Sequence, residues 1–453
     1  MNIVIIGIGK VGSTVAAYLS RENHEVTIVD KNPDVVERMT TNYDVLGVCG
    51  NGASPEVQRE ANMAKAHLVL SLTSSDEFNI LCCVLAKRCG AGHVIARVRN
   101  PDYYHQMPVL RKELGLSMAI NPELEAANAI SRMLRFPSAT KLELFSRGRL
   151  EMAETTLAAG SPLNGVAMKD LPRKFGAQVL ICAVQRGNEV YIPTGDFVLR
   201  EGDHINVTAS HGDMGAFFKK LGIYRHSVRS VLLVGGGKIS FYLAFQLLQL
   251  GMHVKIVEQN EETCQLLSEM LPKASIIRGD GTDQDLLLEE GLTSMDACVS
   301  LTGIDEENII VSMFAAMQKV PKVIAKVNRP HLLAITRTLG VESSVSPRMV
   351  TGSTILRYVR ALQNSTGNTV QTLYKMMDDK VEALEFIVGD KAPFIGKTLQ
   401  ELPFKNGVLI AGIVRNGRLI HPKGGDAMFP GDLVTVVTTI PSLQDLSDTL
   451  AEE

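Results

Sequence analysis

The sequence predicts an α/β protein of two tandem doubly wound parallel sheets, each followed by a small α+β domain. Three observations predict this. Short, wholly apolar runs alternate with helix-length amphipathic stretches, the pattern of strands covered on both faces. Four motifs recur in register far along the chain, the mark of a duplication. At 453 residues the chain is also too long for a single ordinary core.

The duplication sets the domain plan. Gly7-Ile-Gly-Lys-Val-Gly12 returns as Gly235-Gly-Gly-Lys-Ile-Ser240, and Gly50-Asn51-Gly52 as Gly279-Asp280-Gly281. Leu72-Thr73-Ser74-Ser75-Asp76-Glu77-Phe78-Asn79 returns as Leu301-Thr302-Gly303-Ile304-Asp305-Glu306-Glu307-Asn308. Ala96-Arg97-Val98-Arg99-Asn100-Pro101 returns as Ala325-Lys326-Val327-Asn328-Arg329-Pro330. Gly235 lies 228 residues after Gly7, and Pro330 lies 229 after Pro101. The repeat runs on, with Gly165, Leu171-Pro172, Gly176 and Gly202-Asp203 matching Gly396, Leu402-Pro403, Gly407 and Gly431-Asp432. Each half therefore holds two different units, in the order A–B–A–B.

In the first A unit, strands are expected at 2–6, 26–29, 45–48, 68–72 and 94–98. In the first B unit, 179–184, 189–192 and 204–207 are short strands parted by Gly, Asn and Asp turns. Between the units a helix is predicted from Pro122 to Arg135, stopped by Phe136-Pro137, with a counterpart from Pro347 to about Leu362. Leu124, Ala127, Ile130, Met133 and Leu134 give it one apolar face, either a packing face or a hinge that transmits motion. The resulting boundaries are 1–121, 122–140 and 141–226 in the first half, then 227–346, 347–366 and 367–453 in the second.

Composition narrows the function classes. Hydrophobic residues at 45% and charged ones at 21% belong to an ordinary globular protein, and a net charge of −3 offers nothing general to nucleic acid. No window approaches the roughly 20 apolar residues that span a bilayer. The seven cysteines form no C-x-x-C pair and read as reduced thiols, so no metal site is expected.

The chemistry lies in the glycine loops. Gly7 permits a tight turn, Gly9 lets a pyrophosphate approach the backbone of Ile8, Lys10 and Val11, and Gly12 lets the following helix pack on its strand. The helix N-terminus then offers free N–H groups to phosphate. Asp30 ends the next strand, 18 residues beyond Gly12, where an acid accepts hydrogen bonds from a ribose and favours NAD over NADP. This is the Rossmann fingerprint. In the second copy Gly235, Gly236, Gly237, Lys238 and Ile239 form the loop, Ser240 replaces the third glycine, and Glu258 stands 23 residues after Gly235, as Asp30 does after Gly7. Asn51 and Gly52, with Asp280 and Gly281, follow the third strand near the adenosine. Thr73, Ser74 and Thr302 close the fourth strand at the edge where ligands bind. Ser74-x-x-Glu77 also reads as a capping box. Arg97 and Lys326, at the end of the fifth strand, are expected to face the pyrophosphate.

No acid or base suited to hydride chemistry stands beside these loops. His67, His105 and His253 have no counterpart in the other copy. There is no Walker A, HExxH or GxSxG sequence. The chain reads as a sensor; an NAD-dependent oxidoreductase is the remote alternative.

From the first glycine loop to the Gly431-Asp432 turn, the chain resembles the TrkA family of peripheral regulatory subunits of Trk potassium uptake systems. Its units look like tandem RCK (regulator of potassium conductance) domains. The resemblance implies NAD or NADH at the Rossmann sites, with ATP or ADP admitted, above all at the second. It implies a homo-oligomeric ring, a tetramer, on the cytoplasmic face of the membrane beneath a TrkH-type transporter subunit. A regulator of a different cation channel or antiporter is the alternative. The sites implied are Gly7 to Val11, Asp30, Asn51, Gly52, Thr73, Ser74 and Arg97, then Gly235 to Ile239, Glu258, Asp280, Gly281, Thr302 and Lys326. Two departures stand out: Asn51 where many relatives carry an acid, and Ser240 for glycine.

Overall fold

The computed structural model describes residues 1–453 apart from 137–138, 177, 223–227, 342, 364–369, 378, 391, 442 and 452–453. Pro137, expected to stop the first connecting helix, lies outside the described residues. Residues 1–128 with 241–243 and 345–356 form one compact unit, and the remainder forms a second.

The first unit holds a six-stranded sheet ordered Leu46–Cys49, Glu25–Asp30, Asn2–Ile6, Leu68–Ser71, His93–Arg97, Met118–Ile120. Every neighbouring pair is parallel. The central strands are apolar throughout because helices cover both faces: Ile3, Val4, Ile5 and Ile6 are all buried. Val4, Ile6, Val29 and Val69 pack beneath Cys82, Cys83 and Ala86 of helix Asp76–Cys89. Burial pushes the Cys82 thiol up to about 11. Chain order reverses between Asn2–Ile6 and Leu68–Ser71, and in doubly wound sheets ligands bind at the carboxyl ends of the strands on either side of such a reversal. The sixth strand, Met118–Ile120, is too short to stand out in sequence.

The second unit repeats this sheet in the order Ser275–Arg278, His253–Glu258, Ser230–Val234, Ala297–Ser300, Lys322–Lys326, Ser343–Val345. It also holds two five-stranded antiparallel sheets of matching topology. One runs Lys141–Phe145, Leu150–Thr156, His204–Ala209, Leu180–Arg186, Glu189–Tyr191. The other runs Val370–Met376, Val381–Ile387, Leu433–Thr438, Val408–Arg415, Arg418–Ile420. Leu150–Thr156 and Val381–Ile387 escape sequence reading because Leu, Glu, Met and Ala favour helix. Their glutamates are buried and partnered: Glu151 takes the Nδ1 atom of His211 at 2.8 Å. The fully buried Arg360 donates twice to Glu382, at 2.8 and 3.0 Å.

The repeated Gly-Asp turns have a structural purpose. Arg186 donates to both oxygens of buried Asp203, at 2.7 and 2.8 Å, and Arg415 does the same to Asp432. The two antiparallel sheets meet face to face through Phe145, Leu150, Met152, Met376, Val381 and Val437. Thr208 donates to the Ala411 carbonyl across that seam at 3.3 Å.

Candidate nucleotide-binding sites

The first loop turns sharply at Gly7, where φ is +88° and an added Cβ would lie 2.8 Å from the Thr73 nitrogen. Helix Lys10–Arg21 starts at Gly9 with no side chain capping it. A Cβ on Gly9 would meet nothing within 4 Å, whereas one on Gly12 would sit 2.1 Å from the Gly7 carbonyl oxygen. Gly12 is therefore demanded by the fold, and Gly9 is not. Its bare backbone faces open space beside uncapped N–H groups, a cradle that fits a phosphate. Asp30 accepts from Ile8 N at 2.7 Å and from Asn32 N at 3.0 Å. A carboxylate has about four lone-pair positions, so it retains capacity for ribose hydroxyls.

The second loop keeps the path. Gly235 has φ +100°, and Gly237 again faces open space. Glu258 accepts from Gly236 N at 2.6 Å and from Asn260 N at 2.8 Å. Ser240 is fully buried, and its hydroxyl donates to the Gly235 carbonyl.

Beyond the loops, Asn51 Oδ1 accepts from Ala53 N at 3.1 Å, while Asp280 Oδ1 accepts from Thr282 N at 2.9 Å. Bonds from Thr282 hold the Asp280 carboxyl below its ordinary value. Both residues close the same turn, which needs only the acceptor oxygen the two share. Gly52 and Gly281 are held against Ile6 and Val234, where an added Cβ would come within 2.5 and 2.3 Å.

The cap of helix Asp76–Cys89 is one residue later than the sequence suggested: Ser75, not Ser74, accepts from Phe78 N. Asp76 instead binds the far loop, accepting from Arg99 N at 2.7 Å and Asn100 N at 2.8 Å. Asp305 repeats this with Asn328 N and Arg329 N. Arg97 and Lys326 reach the carboxyl edge but rest on protein acceptors. Arg97 donates to the Thr73 carbonyl at 3.4 Å and to Glu123 at 3.3 Å; Lys326 donates to the Leu301 carbonyl at 3.3 Å. Burial pushes the Arg97 guanidinium below its ordinary value, and Glu123 opposes that shift.

Sequence reasoning missed several participants. Buried Asn79 accepts from Thr73 N at 2.9 Å and donates to the Arg97 carbonyl at 3.0 Å, so one amide ties the fourth and fifth strands together. Asn308 repeats it on Thr302 and Lys326. Both stand inside a repeated motif, which is signal enough. Arg278 is the register partner of Glu258, where Cys49 partners Asp30. Glu123 carries no signal of its own in sequence. Of the histidines singled out in the sequence, His67 accepts from Asn2 N at 3.0 Å, and the His105 side chain lies outside the described residues. Among the described residues, no group of three or more His, Cys, Asp or Glu is placed to hold a metal ion. None of their helices is long and apolar enough to cross a membrane.

The TrkA-N domain family matches residues 3–122 and 231–347, and the TrkA-C domain family matches 152–222 and 383–451. A Trk system potassium uptake protein TrkA homolog of Methanosarcina mazei is 32% identical over 96% of this chain and 97% of its own. The Archaeoglobus fulgidus homolog is 33% identical over 94% of both, and TrkA of Halomonas elongata is 29% identical over 96% of this chain and 95% of its own. Among solved structures, the GsuK RCK domain aligns with a TM-score of 0.62 at 17% identity, covering 96% of this chain and 92% of that one. The GsuK channel bound to NAD aligns with 0.61 at 18% identity, covering 96% and 76%. These likenesses confirm the fold of paired Rossmann and RCK C-terminal domains. With both domain types matched twice and a third of its residues shared along nearly its whole length, the chain belongs to the TrkA family of Trk-system potassium uptake proteins.

Proposed function

We propose that this chain is a nucleotide-sensing peripheral subunit that gates a Trk-type potassium transporter. The observation that carries it is the pair of open glycine positions, Gly9 and Gly237, each beside an uncapped helix start and an acid bonded to its own loop. The fold does not require glycine at either position, but a ligand's diphosphate does. NAD or NADH is the ligand of the first site, and ATP or ADP is admitted at both sites, above all at the second. Arg97 and Lys326 turn to the diphosphate once it is present. The working units are 1–121, 141–226, 227–346 and 367–453, joined by connecting segments at 122–140 and 347–366. The names of the relatives support a membrane transporter as partner; our reading makes it one of the TrkH type, with this chain assembled on its cytoplasmic side as a homo-oligomeric ring, a tetramer.

Gating requires a ligand that binds two conformations unequally, since one indifferent to them shifts nothing. Calorimetric titration of the whole protein with NADH, NAD, ATP and ADP, counting sites per chain, is the direct test. Two sites support the reading in full, and one demotes the Gly235–Ser240 loop to scaffold. No binding overturns the sensor reading. Potassium flux through a co-reconstituted TrkH-type subunit, with and without the bound nucleotide, then separates gating from mere attachment.

A further inference from the structure

The Arg97–Glu123 pair is an unusual arrangement of two charges. Both side chains are largely buried, at 15% and 18% exposure, yet their contact is a single bond of 3.3 Å. The Arg97 Nε atom and the Glu123 Oε2 atom are each buried with no hydrogen-bond partner among the described residues. Unmet buried polar atoms cost about 1–3 kcal/mol each. A buried ion pair offsets its desolvation only when its geometry is good and its remaining atoms are satisfied. This pair is poorly satisfied as it stands and is open to a better partner.

Its position says which. Arg97 also donates to the carbonyl of Thr73, whose backbone lies against Gly7 of the glycine loop. Glu123 sits in the first turn of helix Pro122–Arg135, which leads out of the first Rossmann domain. A continuous path therefore runs from Gly7 through Thr73 and Arg97 to Glu123. A guanidinium presents planar, paired donors, and a diphosphate matches them better than one carboxylate oxygen at 3.3 Å does.

We infer that Glu123 is a positioning residue that competes with the ligand for Arg97: a bound diphosphate takes the guanidinium, and the first turn of the connecting helix loses its tie. This rests on the nucleotide-sensing reading and adds to it a route by which occupancy of the first site reaches the connecting helix. Arg99 stays 4.0 Å from the same Glu123 oxygen, an ion pair without a hydrogen bond, so the release leaves the carboxylate a charged neighbour but takes away its hydrogen bond.

The test uses the full chain in a Glu258→Ala background, where the second site is weakened about tenfold and a two-site fit resolves the first. ADP is titrated against the parent and against Glu123→Gln, with adenosine as the ligand lacking a diphosphate. ADP should bind Glu123→Gln about three- to tenfold more tightly, as expected when a competing interaction of order 1 kcal/mol is removed. Adenosine affinity should not move, and the ligand-free variant should melt lower than its parent. A purely structural role would lower stability and affinity together. Glu125→Gln removes a charge from the same helix turn; because it is not bonded to Arg97, it should leave ADP affinity unchanged. Hydrogen exchange over 122–135 should rise on ADP binding in the parent and start high in Glu123→Gln. Unchanged or weakened ADP binding by Glu123→Gln overturns this inference alone. Absence of any nucleotide binding by the parent overturns the sensor reading and this inference with it.

Discussion

The two glycine loops hold the same backbone path with different side chains at their tightest points. In the first, Gly12 leaves no room for a Cβ; in the second, Ser240 carries one and ties its hydroxyl to the Gly235 carbonyl. In the first, the short acid Asp30 reaches Ile8 N past a full side chain. In the second, Glu258 is one methylene longer and its neighbour has shrunk to Gly236, where an added Cβ would fall 2.9 Å from Glu258 Cγ. The comparison teaches that each copy has its own matched set of residues. What recurs is the atom presented to the ligand and the carboxylate holding the turn.

Exchanging residues between the copies is the way to break that comparison. The largest effect belongs to Gly12→Ala, which drives a Cβ into the Gly7 carbonyl and should cost about 2–4 kcal/mol. Ser240→Ala loses one hydrogen bond and should cost about 1 kcal/mol. Urea unfolding of the two variants decides it, and equal losses would show that the tight contact relaxes freely. Next, Gly236→Ala should cost about 1–2 kcal/mol and weaken the second site by displacing Glu258. Adding Glu258→Asp should recover part of that loss, the contact with Leu267 Cδ1 at 2.8 Å remaining; additive losses in a double-mutant cycle would refute the matched-set idea.

Affinity separates the sites more finely. Asp30→Ala and Glu258→Ala should each remove a charged acceptor and weaken one site about tenfold, leaving the other intact. Calorimetry that loses both sites at once would show them coupled. The smallest expected effect uses the exposed Cys49, register partner of Asp30. A bulky maleimide there should weaken NADH at the first site two- to threefold at most, roughly 0.5 kcal/mol. The second site has Arg278 in that register position, so, once exposed Cys89 and half-buried Cys264, whose thiol donates to the Glu258 carbonyl, are replaced by serine, a response there would refute the assignment of the sites. Cys83, Cys182 and Cys298 are fully buried, and burial raises the last two to about 12, so the reagent should spare them in the folded protein.

Much of this was legible in the residues. Runs such as Ile3–Ile6 can only be strands covered on both faces, and the repeat supplied the domain plan without any structure. The glycine loops announced themselves through their spacing, and Gly7, Gly12 and Gly235 meet steric demands that only glycine satisfies without strain. The features that stayed hidden depend on tertiary partners. Leu150–Thr156 reads as helix by propensity and becomes a strand because strands His204–Ala209 and Lys141–Phe145 pair with its two edges and bury it. The place of Glu123 depends on Arg97, 26 residues earlier. The slipped cap at Ser75 shows the ordinary one-residue ambiguity of helix starts.

The face shared by the two antiparallel sheets carries a last consequence. Ser146 and Met377 occupy the same place in the repeat, each with φ of 52°. Ser146 donates to Glu385 across the seam; Met377 has no hydroxyl to offer Glu154, which pairs with Lys141 at 3.8 Å instead. In a symmetric dimer of half-length chains, any such substitution would appear on both sides at once. Here the two faces are separate stretches of one polypeptide, and the tether keeps them at high effective concentration. Each half is thus free to mutate without its mirror image following. That freedom is what allows one protein to carry two differently built glycine loops.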